Sequence, residues 1–150
     1  MENKQLSQNF WLSEFIRSQS ATRMGIDNIP SDAEYYNLLY LCKYVLQPLR
    51  DHFGPLYISS GFRSLELNKV IGGSKTSQHV KGQAADIDSP TRNKEYFEYI
   101  RENLPFDQLI WEFGTDEMPD WVHVSYDVSK NRRQILKAVR DEKGVRYVKV

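Results

Sequence analysis

A single cysteine, Cys42, is all the thiol chemistry in a chain of 150 residues. No disulfide can form within the chain, and a cysteine-built zinc cluster is excluded. Cys42 sits inside the apolar pattern LLYLCKYVL, which predicts a small buried core residue rather than a reactive thiol. An excess of one charge is also missing. Twenty Lys and Arg balance twenty Asp and Glu, so no overall basic field draws the chain to nucleic acid or anionic lipid. No stretch approaches the ~18 apolar residues of a membrane-spanning helix, so no integral membrane part is expected. The opening MENKQLSQNFWLSEF lacks the continuous apolar segment of a secretory signal, which predicts a chain that stays in the cytoplasm as synthesised. Internal repeats, low-complexity tracts and linkers are absent as well. At 40% apolar and 27% charged residues, the composition is that of one folded domain over residues 1–150, expected as a monomer.

The order of elements is legible from periodicity. Ser13 is a candidate cap for a short helix through Ile16, and Gly25 and Pro30 mark loops. Ser31-Asp32-Ala33-Glu34 reads as a capping box. Tyr35, Leu38, Leu39, Cys42, Val45, Leu46 and Leu49 then recur at helical steps, with Pro48 expected to kink or end the last turns. LYISS and AADID read as strands, and SLELNKVIGG and TRNKEYFEYIRENL as helices. QLIWEF and WVHVSY alternate like paired strands around the loop GTDEMPD. RQILKAVR and VRYVKV form a predicted hairpin across DEKG, where Gly144 supplies a positive φ. The pattern is α+β, with helices first and then a mostly antiparallel sheet.

Only three histidines are present, His52, His79 and His123. His79 lies in SQHVKGQAADID. If residues 84–88 form a strand, Asp86 and Asp88 share one face while Ala85 and Ile87 serve the core. Gly82 lets the chain fold back and bring His79 toward that acidic face. In WVHVS the same alternation sends Val122 and Val124 inward and Trp121, His123 and Ser125 the other way. A lone histidine there would suit a solvated edge. Two histidines with an aspartate suit a site with three protein ligands, which leaves a fourth zinc position open for water. Asp120, three residues before His123, is a candidate proton shuttle, with Glu112, Asp116 and Glu117 as rivals. Arg63, on the tight GFRS turn, is a candidate clamp for a carboxylate or an oxyanion. Trp11 is expected in the core, and Trp121 near the site.

SQHVKGQAADID resembles the Ser-x-His-x-x-Gly-x-Ala-x-Asp motif of the zinc D-Ala-D-Ala carboxypeptidases, peptidase family M15. Asp120-Trp121-Val122-His123 resembles that family's acid-x-x-His element, and SGFRS its arginine-bearing turn. The likeness runs over roughly residues 9–127, including NFWLSEFIRSQSATRMGIDNIP and LNKVIGGSKTSQH, and is similar to the compact M15 subgroup of phage-like and bacterial chains. The resemblance implies a fold shared with the Hedgehog signalling domain, a central antiparallel sheet with helices on one side. It implies one Zn²⁺ held by His79, Asp86 and His123, with Asp86 chosen over Asp88 because only Asp86 fits the motif. It further implies Asp120 as general base, and Arg63 and Ser77 as substrate contacts.

The function that follows is a zinc peptidase acting on peptidoglycan or its muropeptides. It would be either a D-Ala-D-Ala carboxypeptidase or a lytic endopeptidase, the latter as a phage endolysin that reaches the wall after release. The alternatives are a catalytically silent zinc-containing binding module and a phage structural component.

Overall fold

The computed structural model describes residues 2–150. A two-stranded ribbon, β1 (Gln5–Ser7) and β2 (Phe10–Trp11), leads into α1 (Leu12–Ile16) and α2 (Gln19–Met24). The main helical layer is α3 (Asp32–Leu41), a π-helical turn (Cys42–Leu46) and α4 (Gln47–Phe53). After β3 (Tyr57–Ser60) come α5 (Leu65–Val70), a 3-10 turn (Gln78–Lys81), β4 (Ala84–Asp88) and α6 (Asn93–Asn103). The chain ends in β5 (Gln108–Glu112), β6 (Trp121–Ser125), β7 (Gln134–Asp141) and β8 (Gly144–Lys149). This is the α+β class expected from the sequence. β3 to β8 form one sheet in the order β3-β4-β6-β5-β7-β8, and every pair is antiparallel except β5–β7.

Local chemistry explains most element boundaries. Ser31 caps α3 as anticipated: its Oγ accepts from the Glu34 amide at 3.3 Å, and the Glu34 carboxylate accepts from the Ser31 amide at 2.8 Å. α1 begins earlier than Ser13. Trp11 is its N-cap, and the Trp11 amide donates to the Glu14 carboxylate at 2.7 Å. Trp11 itself is 42% exposed, against the expectation of a core position, because the side chain that turns inward from the β1–β2 ribbon is Phe10. Pro48 neither ends nor breaks the helical run. Its ring would crowd the carbonyl four residues back, and the chain instead inserts one π-helical turn before continuing as α4. Gly144 does turn the last hairpin, at φ +116°.

The sheet has two unlike faces. Ala85, Ile87, Leu109, Trp111, Val122 and Val124 point to one side and pack with Leu38, Leu41 and Val45 of the helical layer and Phe97 and Ile100 of α6. Cys42 is buried there, and burial pushes its thiol well above its ordinary range, so the core reading of that residue stands. By strand alternation Asp86, Ile110, Glu112, Trp121 and His123 point to the other side.

Gly82 ends the 3-10 turn at φ +72°, and a Cβ there would lie 2.4 Å from the Glu34 carbonyl oxygen of α3. Gly82→Ala combines left-handed strain with a backbone clash, and it should cost at least about 1–2 kcal/mol. Denaturant unfolding in the presence of a chelator reads this directly, and an unchanged midpoint would contradict the packing described.

Candidate metal centre

The β4–β6 ladder sets Asp86 directly opposite His123. Core pairs on either side of them, Ala85 with Val124 and Ile87 with Val122, fix that register from the opposite face. The His123 Nδ1 consequently lies 3.2 Å from Asp86 Oδ1.

His79 arrives from a different part of the chain. Ser77 caps the 3-10 turn, its Oγ accepting from the His79 amide at 3.2 Å, and Gly82 closes the turn. Two bonds hold this turn to the segment after β3. The Arg63 amide donates to the His79 carbonyl at 3.1 Å, and the His79 Nδ1 lies 2.7 Å from the Gly61 carbonyl oxygen. A carbonyl only accepts, so Nδ1 carries the proton of the neutral ring and Nε2 presents its lone pair. That Nε2 lies 3.3 Å from Asp86 Oδ1.

This arrangement calls for a cation. A neutral His79 sets a lone pair against a carboxylate oxygen. If His123 donates from Nδ1 to the same oxygen, its Nε2 is left as a bare acceptor, and Nε2 is buried with no partner among the described residues. A bound metal ion would remove the first of these conflicts, since His79 Nε2, Asp86 Oδ1 and His123 Nδ1 would then serve as ligands, and His123 Nε2 would carry that ring's proton. The candidate ligand atoms of His79, Asp86 and His123 all lie within 4.8 Å of one another. Ligands about 2.0–2.1 Å from a tetrahedral zinc sit about 3.3 Å from each other, close to the two contacts seen here. The Gly61 carbonyl is the kind of orienting partner that metal-binding histidines use. The donor set therefore fits zinc, with His79, Asp86 and His123 as the residues that would hold it. Burial alone would raise the Asp86 carboxyl, but in the metal-free protein positive charge on the two imidazoles, when they are protonated, and their hydrogen bonds to it hold it well below the usual carboxylate range.

The centre opens into a cleft of about 600 Å³. Arg63, Ser77, Glu112 and Trp121 line it together with the three ligand candidates. Arg63 packs under the following loop: a Cβ on Gly73 would lie 3.0 Å from its guanidinium, and its Nε is buried without a partner among the described residues. Trp121 faces the cleft as strand parity anticipated. Ser77 touches the cleft, though its hydroxyl already serves the turn that carries His79.

Asp120 is not among the residues lining this cleft. It is exposed and borders a separate hollow with Lys137 and Arg140. Three residues along an extended chain change faces, so Asp120 and His123 diverge, whereas a helix would have brought them together. The acid that lines the cleft beside Asp86 is Glu112. It pairs with Trp121 across β5–β6, on the face of His123, and is only 6% exposed. Its signal in the sequence was parity: in QLIWE, Leu109 and Trp111 serve the core, leaving Ile110 and Glu112 on the site face. Asp88 stands apart from the metal cluster, accepting from Asn93 Nδ2 at 2.8 Å. His52 stacks on Tyr99 with ring centroids 4.1 Å apart and plays no part here.

Burial is the main reason the Glu112 carboxyl is pushed up to about 7; the His123 imidazole opposes the rise and the Asp86 carboxylate adds to it. The folded chain thus binds this proton more tightly than the unfolded chain, whose ordinary value is 4.5. Stability from this group is present below pH 4.5 and is lost as pH rises toward 7. In metal-free protein, Glu112→Gln should be more stable than the parent at pH 8 and equal to it near pH 4. Unfolding curves at the two pH values check the sign, and a variant that is less stable at pH 8 would refute it.

Calorimetric titration with Zn²⁺ should find one ion per chain. His79→Ala and Asp86→Ala should each weaken binding by more than about 100-fold, because even groups that merely orient a ligand are worth 10- to 100-fold. Asp88→Ala should leave the stoichiometry unchanged, and loss of the ion in that variant would move the ligand assignment from Asp86 to Asp88.

Residues 8–125 match a family model described as Peptidase M15. No curated protein matches the chain.

Proposed function

We propose, from the fact that this chain belongs to the peptidase M15 family, that it is a zinc-dependent peptidase cleaving the stem peptides of peptidoglycan. The observation that carries the reading is the convergence of His79, Asp86 and His123 on one face of the sheet, beside a buried acid and a cleft arginine. A zinc ion held there would supply a Lewis acid for the scissile carbonyl and would bring the pKa of water to near 7.

The chain's own residues supply the rest. Glu112 takes the proton from the attacking water and delivers it to the departing amine. A carboxyl near pKa 7 is suited to both directions of that transfer at neutral pH. Arg63 offers a fixed guanidinium to the charge that grows on the carbonyl oxygen, or to a carboxylate of the substrate. The Gly61 carbonyl keeps the His79 Nδ1 protonated, so that Nε2 remains free to bind metal. In this reading the base role passes from Asp120 to Glu112. A silent binding module has no use for a carboxylate buried at a cost in stability, and Glu112 therefore favours turnover over mere binding.

Purified protein should release amino groups from peptidoglycan, lose that activity with a chelator and regain it with Zn²⁺. Mass spectrometry of the muropeptides identifies the bond and separates a carboxypeptidase from an endopeptidase. Glu112→Gln should lower kcat by about 10²- to 10⁴-fold while retaining zinc, whereas Asp120→Asn should stay within about threefold of the parent. The reverse ranking would restore Asp120 as base, and zinc binding without any cleavage would favour the binding module.

A further inference from the structure

The family match ends at residue 125, but the sheet does not. The hairpin β7–β8 continues it beyond β5, and several contacts fix the hairpin in place. Arg132 grips the buried Asp107 through Nε at 2.9 Å and Nη2 at 2.8 Å. The Gln134 amide donates to the Asp107 carbonyl at 2.9 Å. Arg133 donates to the carbonyls of Leu104 and Arg101, each at 2.8 Å. From that anchor β7 runs in parallel register with the whole of β5, from Gln108–Gln134 to Glu112–Ala138.

This register has a consequence for the cleft. Trp121 pairs with Glu112, Glu112 with Ala138, and Ala138 with Tyr147. The four residues form one row across β6, β5, β7 and β8, and residues in register share a face. The third member is only a methyl group, so the space between Glu112 and Tyr147 is open to a large ring. Ala138 is nevertheless completely buried, although it lies one strand from the sheet edge. Tyr147 lines the same cleft as His79, Asp86 and His123, and Leu136 and Val145 accompany it there. Burial raises its phenol, the charges of Glu112 and Asp86 raise it further, and Arg63 opposes them. The ring is still half exposed, as a surface that meets a ligand would be.

We propose that Tyr147 is a substrate-binding residue of this site. Its hydroxyl donates a hydrogen bond to a backbone oxygen of a peptide lying in the cleft, and its ring, with Leu136 and Val145, walls a pocket for a small aliphatic side chain. The proposal rests on the peptidase reading above, and it assigns the terminal hairpin a part in substrate choice. Arg63 and Tyr147 then line one cleft together with the metal centre and Glu112.

The test is binding without turnover. The full chain carrying Glu112→Gln is loaded with Co²⁺, whose visible absorption reports the metal site, and a synthetic stem pentapeptide is titrated in by calorimetry. Adding Tyr147→Phe should weaken the pentapeptide by roughly 3- to 10-fold, the worth of one neutral hydrogen bond. Tyr147→Ala should weaken it further, and the cobalt spectrum should remain unchanged in both. Equal affinity in all three proteins would overturn the role of Tyr147 and leave the peptidase reading intact. A cobalt spectrum altered by Tyr147→Phe would make the residue a prop of the metal site and also overturn the proposal. Cobalt binding with no pentapeptide affinity in the Tyr147-containing protein would sink the peptidoglycan reading and this inference with it.

Discussion

The register between β4 and β6 is the constraint on which the site depends. Ala85 meets Val124 and Ile87 meets Val122 on the core face, and these contacts admit one alignment. A slip of one residue would turn the apolar set of the slipping strand out of the core and its polar set in. The alignment that satisfies the core also sets Asp86 opposite His123 on the other face. Packing energy from one side of the sheet thus fixes a polar pair on the other side, where the pair alone would supply little stability.

The third ligand candidate needs a separate device, because no strand delivers it. The turn carrying His79 is held by the backbone at Gly61 and Arg63, and Gly82 lets it close against α3. Gly61 contributes twice. Its carbonyl orients the imidazole, and its missing side chain makes room for α1, since a Cβ there would lie 2.6 Å from the Phe15 backbone. The bonds that aim His79 also place Arg63 at the rim of the cleft, so ligand and arginine are positioned as one unit.

Much of this could be read in the sequence because alternation carries it. AADID and WVHVS each show which residues face the core, and the polar remainder names Asp86 and His123. Asp86 and Asp88 have the same parity, and only the family motif separated them; in the structure Asp88 turns to Asn93. The placement of Asp120 outside the cleft has a physical origin. A spacing of three brings residues together on a helix and separates them on a strand, and WVHVS is a strand. Glu112 was visible as a rival acid, but its nearness to His123 depends on how β5 pairs with β6. Tyr147 was out of reach, since its place depends on the parallel β5–β7 pairing and on the Asp107–Arg132 anchor. Neither has a local signature. At the N-terminus, the short ribbon and α2 are too brief to show a period.

The charges of the cleft give the arrangement its chemical sense. With neutral imidazoles, Asp86 and an ionised Glu112 outweigh Arg63 by one negative charge, and two carboxylates on one buried face repel each other. Burial is the main reason the Glu112 pKa is elevated, and the repulsion from Asp86 adds to it. A divalent cation held by His79, Asp86 and His123 would reverse the balance: it would satisfy Asp86, lower the cost of ionising Glu112 and leave the cleft with one net positive charge. Such a cleft favours an electron-rich oxygen over a neutral one, which is the difference between a tetrahedral transition state and the amide it came from. Without a metal ion, a neutral His79 would turn a lone pair toward the Asp86 carboxylate. The convergence of the three side chains on a face whose register is enforced from the other side fits the ion they would share.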